Sequence, residues 1–385
     1  MAALFKLARS HRGIQQGMVD HFCDVGICIV HEASPQASST FRMRLMLVIC
    51  RLERSIIGPM LRRKFFGSLI AGSALAPVAA STQPSVGQPV QEPYLERQAS
   101  GLPHKGKVLL AIEAHADDIS QMAGGTVAKL IEEGYTGYLV RATNDDMGDS
   151  PGLGTPGTIG ENVLRNERDN ANVAQALGCK QRFDLNYSNH RMADVSLNEL
   201  ICRLILIIRI VRADTMICWD PWAHDEENPD HYMVARAVEA ACWMAGRAHD
   251  YPEQFAAGLE PKEVQDKYYF ARRPEVTRVV DISAQVGKKI AANKANQAQG
   301  PGGRLGSRLR TSLAKRNLRL PLLGNDGDSA DRNYIREFVL RVNRELGAMY
   351  GVQYAEVFHY IPPGAAGADM DPRVEAYVKE HAVPL

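Results

Sequence analysis

Lys107-Val108-Leu109-Leu110-Ala111-Ile112-Glu113-Ala114-His115-Ala116-Asp117-Asp118 is the stretch on which the fold turns. Its first seven residues are a short apolar run ending in a polar one, which reads as a strand buried on both faces. A histidine and two adjacent carboxylates follow at once, where that strand must end. Ile119–Glu133 then has helical spacing, with Gly134 as its stop. Working outward, Tyr135–Ala142 reads as a second strand, Asn162–Leu177 as a helix closed by Gly178, and Arg182–Leu185 as a short strand. Leu197–Val211 reads as a helix whose Arg203 and Arg209 argue against a membrane span, and Thr215–Trp219 as another strand. A helix at Tyr232–Arg247, strands near Lys267–Ala271 and Arg278–Ile282, helices near Ala284–Gln297 and Arg332–Tyr350, and a strand at Gln353–Phe358 complete the pattern.

This alternation predicts an α/β fold in three layers, a Rossmann-like, mostly parallel sheet with helices on both faces. Such sheets gather their ligands outside the carboxyl ends of the strands. The composition agrees with a globular domain: 385 residues, 45% hydrophobic and 23% charged. Seven cysteines in that length are no disulfide framework. The formal charge of +1 conceals an asymmetry, because residues 1–80 hold 10 Lys/Arg against 4 Asp/Glu and the remainder holds 35 against 40.

The basic start reads as an address. Leu61-Arg62-Arg63-Lys64-Phe65-Phe66 leads into an uncharged run that ends in Val78-Ala79-Ala80, the layout of an export signal of twin-arginine type. Phe65–Ala80 is short for a bilayer span, so cleavage would leave no stable membrane anchor. Met60 stands directly before this signal, and 1–59 reads as a non-native extension or a disordered segment. The expected order is therefore signal 60–80, linker 81–104, a domain over 105–362 with a basic insertion at about 284–325, and a tail over 363–385, giving a periplasmic or extracytoplasmic product. Of the remaining cysteines, Cys179, Cys202, Cys218 and Cys242 lie mostly in apolar runs and read as buried thiols.

Two strand ends carry chemistry. The first is Ala114-His115-Ala116-Asp117-Asp118, and the second runs Asp220-Pro221-Trp222-Ala223-His224-Asp225-Glu226-Glu227-Asn228-Pro229-Asp230-His231. Two histidines and an aspartate make a facial set for zinc that leaves a position for water, and a neighbouring carboxylate outside the set can serve as base. The competing reading of Asp117 and Asp118 is helix capping. A nucleotide site is disfavoured, since carboxylates stand where a dinucleotide binder needs glycines.

Together with Gly124-Gly125-Thr126, Thr143-Asn144-Asp145-Asp146-Met147-Gly148, the Arg165–Gly178 helix and Tyr354-Ala355-Glu356-Val357-Phe358, these clusters resemble the PIG-L/LmbE-like family of zinc-dependent N-acetyl-sugar deacetylases over about 105–360. The resemblance implies one zinc ion on His115, Asp118 and His231, with Asp117 as general base toward the acetamide of a sugar or glycoconjugate. Two departures stand out. Ala116 replaces the usual proline of the first motif, and Asn228 replaces the histidine that opens the last one and is the family's proposed acid. Asparagine can donate to an oxyanion but cannot shuttle a proton. Either His224 supplies the acid or Asp117 performs both transfers; a sugar-binding protein of weakened activity is the alternative. Asp146, Arg165 and Trp222 are candidate substrate contacts, against the alternatives of turn former, surface ion pair and buried indole; Trp219 shares the last pair of readings.

Between Asp281 and Asp326 lie nine cations and no acidic residue, and Gln299–Gly306 is glycine-rich, which reads as a mobile loop or lid beside a solvated basic face. Nucleic acid is excluded as a partner by the acidic balance after residue 80 and the lack of interleaved aromatics.

Overall fold

A computed structural model describes residues 92–148, 158–222, 226–270, 275–363 and 372–384. The extension, the signal segment and His224 lie outside the described residues.

Eight strands form one sheet: β1 Tyr94–Glu96, β2 Val108–Glu113, β3 Thr136–Thr143, β4 Gln181–Tyr187, β5 Thr215–Trp219, β6 Asp266–Phe270, β7 Arg278–Asp281 and β8 Ala355–Ile361, in the order β1-β7-β8-β6-β5-β2-β3-β4. Every pairing is parallel except the two made by β8, which runs antiparallel to β6 and β7. The expected α/β architecture is therefore present. The helices are α1 Asp118–Met122, α2 Gly124–Glu132, α3 Ile159–Leu177, α4 Leu197–Val211, α5 Pro229–Met244, α6 Pro252–Ala256, α7 Val286–Ala295, α8 Leu305–Ala314, α9 Gly327–Tyr334, α10 Arg341–Met349 and α11 Pro372–His381.

Strand β2 shows why the opening stretch is decisive. Leu110 and Ile112 enter one core with Leu204, Ile208 and Val238 of α4 and α5, while Leu109 and Ala111 enter the other with Val127 of α2 and Val173 of α3. Burial on both faces requires an unbroken apolar run. The chain goes from β2 outward to β3 and β4, then returns to place β5 on the other side of β2. That reversal opens a crevice between the carboxyl ends of β2 and β5, the place where open α/β sheets put their sites.

Several readings are corrected. The linker holds strand β1, whose Tyr94–Glu96 pairs with Arg278–Val280, and Glu96 accepts from Lys129, Tyr268 and Arg278. The first helix is broken at Ala123, because Gly125 and Thr126 give their amides to Glu356 of β8 and a Cβ on Gly125 would lie 2.7 Å from Ile282. The expected Arg332–Tyr350 helix is three pieces, with a π-turn at Ile335–Val339. The glycine-rich segment 299–306 is short of regular structure only as far as Arg304: the Gly303 amide donates to the Asn293 carbonyl at 2.9 Å, and α8 begins at Leu305. Nor is the basic stretch a uniformly solvated face, since Lys289 is wholly buried and pairs with Glu356 at 2.5 Å. Cys218 and Cys242 are buried as read, whereas Cys179 and Cys202 are half-buried. Among the described residues no helix is long and apolar enough to cross a membrane.

Candidate metal centre

The end of β2 turns sharply into α1. Asp118 makes this turn, its Oδ2 accepting from the Ala114 and His115 amides at 2.9 Å, so one oxygen fixes the loop and the other faces the crevice. From the opposite loop, Asn228 caps α5 by accepting from the Asp230 amide at 3.0 Å, and Pro229 opens the helix. This begins α5 three residues earlier than its periodicity suggests and sets His231 in its first turn.

The two loops meet. His115 Nδ1 lies 3.0 Å from His231 Nε2, and His231 Nε2 lies 3.3 Å from Asp118 Oδ1. One ligand atom from each of the three residues falls within 4.8 Å of the others. The far nitrogens face acidic and amide oxygens. His115 Nε2 donates to Asp230 Oδ2 at 3.1 Å and Asn189 Oδ1 at 2.9 Å, and Glu226 Oε1 stands 3.0 Å from His231 Nδ1. Behind His115 these acceptors fix the tautomer that presents a lone pair forward, the usual arrangement behind metal-bound histidine, whereas His231 Nδ1 makes no hydrogen bond among the described residues. Trp219 supports the same ring, stacked on His231 with centroids 4.0 Å apart and planes 14° apart.

The electrostatics suit a cation. Burial opposes ionisation of Asp118, but the charge of His231 and hydrogen bonds from both imidazoles hold its carboxyl well below the usual range. Burial likewise opposes charge on His115, which Asp118 and Asp230 overcome, raising its pKa well above the ordinary imidazole value; Asp118 does the same, less strongly, for His231. Two imidazoles and a carboxylate, in a pocket that favours positive charge, fit a borderline divalent ion such as zinc, which would replace those protons.

Asp117 is left outside the ligand set. Burial first, then the neighbouring charge of Asp118, pushes its carboxyl up to about 7. Its Oδ2 accepts from Gln121 Nε2, and Gly300 lies against it: a Cβ there would come within 3.0 Å of Oδ2 at a φ of +81°. The helix-capping alternative fails for Asp117, because its side chain makes no cap hydrogen bond.

The substrate candidates fare differently. Asp146 does not stand free in the crevice; it accepts from Ser188 Oγ at 2.7 Å and the Asn189 amide at 2.8 Å, tying down the turn that carries Asn189 to His115. Arg165 is half-buried on α3 and donates to Asn162 Oδ1 at 3.2 Å. Trp222 is exposed, not buried, with its Nε1 3.4 Å from Glu239 on the flank of α5. Trp219 is the buried one.

Residues that the sequence reading missed form the support. Asn189, Asp230 and Glu226 stand behind the histidines, and Asp145 lies beneath the first loop. Asp145, wholly buried at a φ of +55°, accepts from the Ala116 amide and from Arg141 Nη1 at 2.9 Å. Asp145, Glu226 and Asp230 lie inside stretches that the sequence singles out, without a role assigned to them; Asn189 has no local signal.

The family model for GlcNAc-PI de-N-acetylase (PIG-L) matches residues 110–242. Diacetylchitobiose deacetylase of Thermococcus kodakarensis is 27% identical over 196 residues, 51% of this chain and 71% of that protein. The uncharacterized deacetylase YaiS of Escherichia coli is 32% identical over 142 residues, 36% of this chain and 70% of that protein. A 1D-myo-inositol 2-acetamido-2-deoxy-alpha-D-glucopyranoside deacetylase of Mycolicibacterium smegmatis is 23% identical over 273 residues, 58% and 89% of the two chains. In fold, the structure resembles N,N'-diacetylchitobiose deacetylase from Pyrococcus horikoshii, with a TM-score of 0.53 and 21% identity over 70% of this chain and 88% of that one. The class is thus a hydrolase of carbon–nitrogen bonds other than peptide bonds. The chain belongs to the PIG-L de-N-acetylase family.

Proposed function

We propose that this protein removes the acetyl group from an N-acetylated sugar or sugar conjugate, using one zinc ion held by His115, Asp118 and His231. The observation that carries the reading is the convergence of those three side chains, from loops more than a hundred residues apart, within 4.8 Å. Bound zinc would supply Lewis acidity toward the acetamide and lower the pKa of water to about 7.

The protein's own groups account for the proton movements. Asp117 adjoins the ligands without joining them, and a carboxyl with a pKa of about 7 can take a proton and return it near neutral pH. Gln121 and Gly300 restrict its rotation. Asp117 can hand the same proton to the departing amine, so the replacement of the usual acid histidine by Asn228 does not block the reaction. Asn228 Oδ1 is committed to the helix cap. His224 is the competing donor; intact turnover across pH in His224→Ala assigns both transfers to Asp117.

The relatives named for diacetylchitobiose and for an inositol-linked glucosamine support an N-acetylglucosamine unit as the reacting sugar. The test is amine release over a panel of N-acetylated sugars, with zinc, after chelation and after zinc is restored. Metal-dependent release from at least one supports the assignment, and none from any of them rejects it. We further propose export through the twin-arginine signal at 60–80, checked by N-terminal sequencing of the secreted chain.

A further inference from the structure

Away from the metal centre, the flank of α5 carries a groove of about 490 Å³ whose lining includes Trp222, Glu239, Trp243, Arg247, Lys267 and His359. Two features set it apart from ordinary surface. Trp222 and Trp243 are 67% and 65% exposed, although indoles normally bury most of their area, and the Arg247 guanidinium lies over the Trp243 ring, 4.4 Å from its centroid. Glu239 stands between them, four residues before Trp243 on the helix and 3.4 Å from the Trp222 indole nitrogen. The charged tips alternate in sign, with Glu239 and Glu263 against Arg247 and Lys267. Such a lining has no net field to attract a polyanion or polycation, and it offers both donors and acceptors beside apolar ring faces.

Flat aromatic faces edged by mixed donors and acceptors suit a neutral polyhydroxyl ligand, which presents C–H faces to the rings and hydroxyls to the tips. The groove also shares its elements with the metal centre. Glu239 lies eight residues along α5 from His231, about 12 Å at the helical rise, and Trp222 belongs to the loop between β5 and α5 that ends in the ligand motif.

We propose that this groove is a second carbohydrate-binding site, which holds a neutral N-acetylated oligosaccharide on Trp222 and Trp243, apart from the metal centre. It rests on the deacetylase reading for the sugar class and names a longer glycan as the ligand. The proposal separates binding of chain length from reaction at one acetamide.

The test uses the full chain after chelation, so that no turnover occurs, and follows tryptophan fluorescence and calorimetry with N-acetylated chito-oligosaccharides of increasing length. Affinity is expected to rise with length in the unaltered protein. Trp243→Ala should weaken binding of the longest sugar about three- to tenfold, the worth of one aromatic contact, and Trp243→Phe should restore most of it. Thermal melting verifies that both variants fold. Binding independent of length, or equal in Trp243→Ala and the unaltered protein, overturns the proposal. A change of oligomeric state in Trp243→Ala with sugar binding untouched also overturns it and makes the face a contact between copies. His115→Ala separates the two readings: it removes a metal ligand and should leave groove binding intact. In the zinc-loaded unaltered protein, groove binding with no amine release from any sugar would reject the deacetylase assignment alone.

Discussion

Asp117 and Asp118 are neighbours in sequence with opposite tasks, and their surroundings divide them. Asp118 faces two imidazoles and stays ionised, whereas Asp117 faces burial and the Asp118 charge and rises to about 7. Asp117→Asn should therefore reduce turnover by about 10²–10⁴-fold while zinc content stays at the unaltered level, measured by amine release and metal analysis on the same sample. Parallel loss of both would make Asp117 a ligand. Glu113 gives a second residue-scale prediction. It is wholly buried, Oε2 accepts from the Ile119 amide at 3.1 Å, and Oε1 has no partner among the described residues. Burial, then the charge of Asp118, raises its pKa well above 4.5, so the folded chain prefers it protonated. That contribution is complete below the unfolded value near 4.5 and is lost as pH climbs through the raised folded value. Glutamine is neutral throughout. Glu113→Gln should match the chelated parent in melting temperature at acid pH and exceed it increasingly toward neutrality; a constant difference would contradict the account.

At the scale of elements, α7 holds α1 in place from behind. Lys289 donates to the Gln121 carbonyl and to Glu356, Asn293 Nδ2 donates to the Ser120 carbonyl at 2.7 Å, and Asn296 Nδ2 donates to Ser120 Oγ at 2.7 Å. Ser120 Oγ in turn donates to the Asp117 carbonyl, and the Gln121 side chain donates to the Asp117 carboxylate. Lys289→Met should leave Glu356 buried without its cation and cost about 3–5 kcal/mol in denaturant unfolding. Adding Glu356→Gln should recover part of that loss by removing the uncompensated charge, and only part, because Gly125 and Thr126 give their amides to different oxygens of Glu356 and glutamine keeps one. A double variant no more stable than the single would show that the pairing is not what matters. None of this was legible in the sequence, where Lys289 reads as one cation in a basic run. Periodicity describes one element at a time, and the Lys289–Glu356 pair joins a helix and a strand 67 residues apart. The linker strand escaped for a related reason: Tyr94–Glu96 has three residues and no periodicity of its own, and its partner β7 comes far later in the chain.

For the whole molecule, the legible part is what an open α/β sheet dictates. An apolar run that must be buried on both faces places β2 in the centre, and the change of polarity after it marks a carboxyl edge. The same rule applied at β5 finds the second loop, and within those two loops the resemblance to the PIG-L/LmbE-like family implied His115, Asp118 and His231. The residues behind them could not, because Asn189 and Glu226 act through single contacts that no spacing announces. Since every functional reading depends on those two loops holding a common ion, zinc titration of the chelated full chain tests the account most directly. One zinc should bind per chain; Asp118→Ala and His231→Ala should abolish tight binding, and Asp230→Asn should weaken it about 10–100-fold by releasing the His115 ring. A chain that binds no zinc, or binds it equally well without Asp118 and His231, would contradict the account.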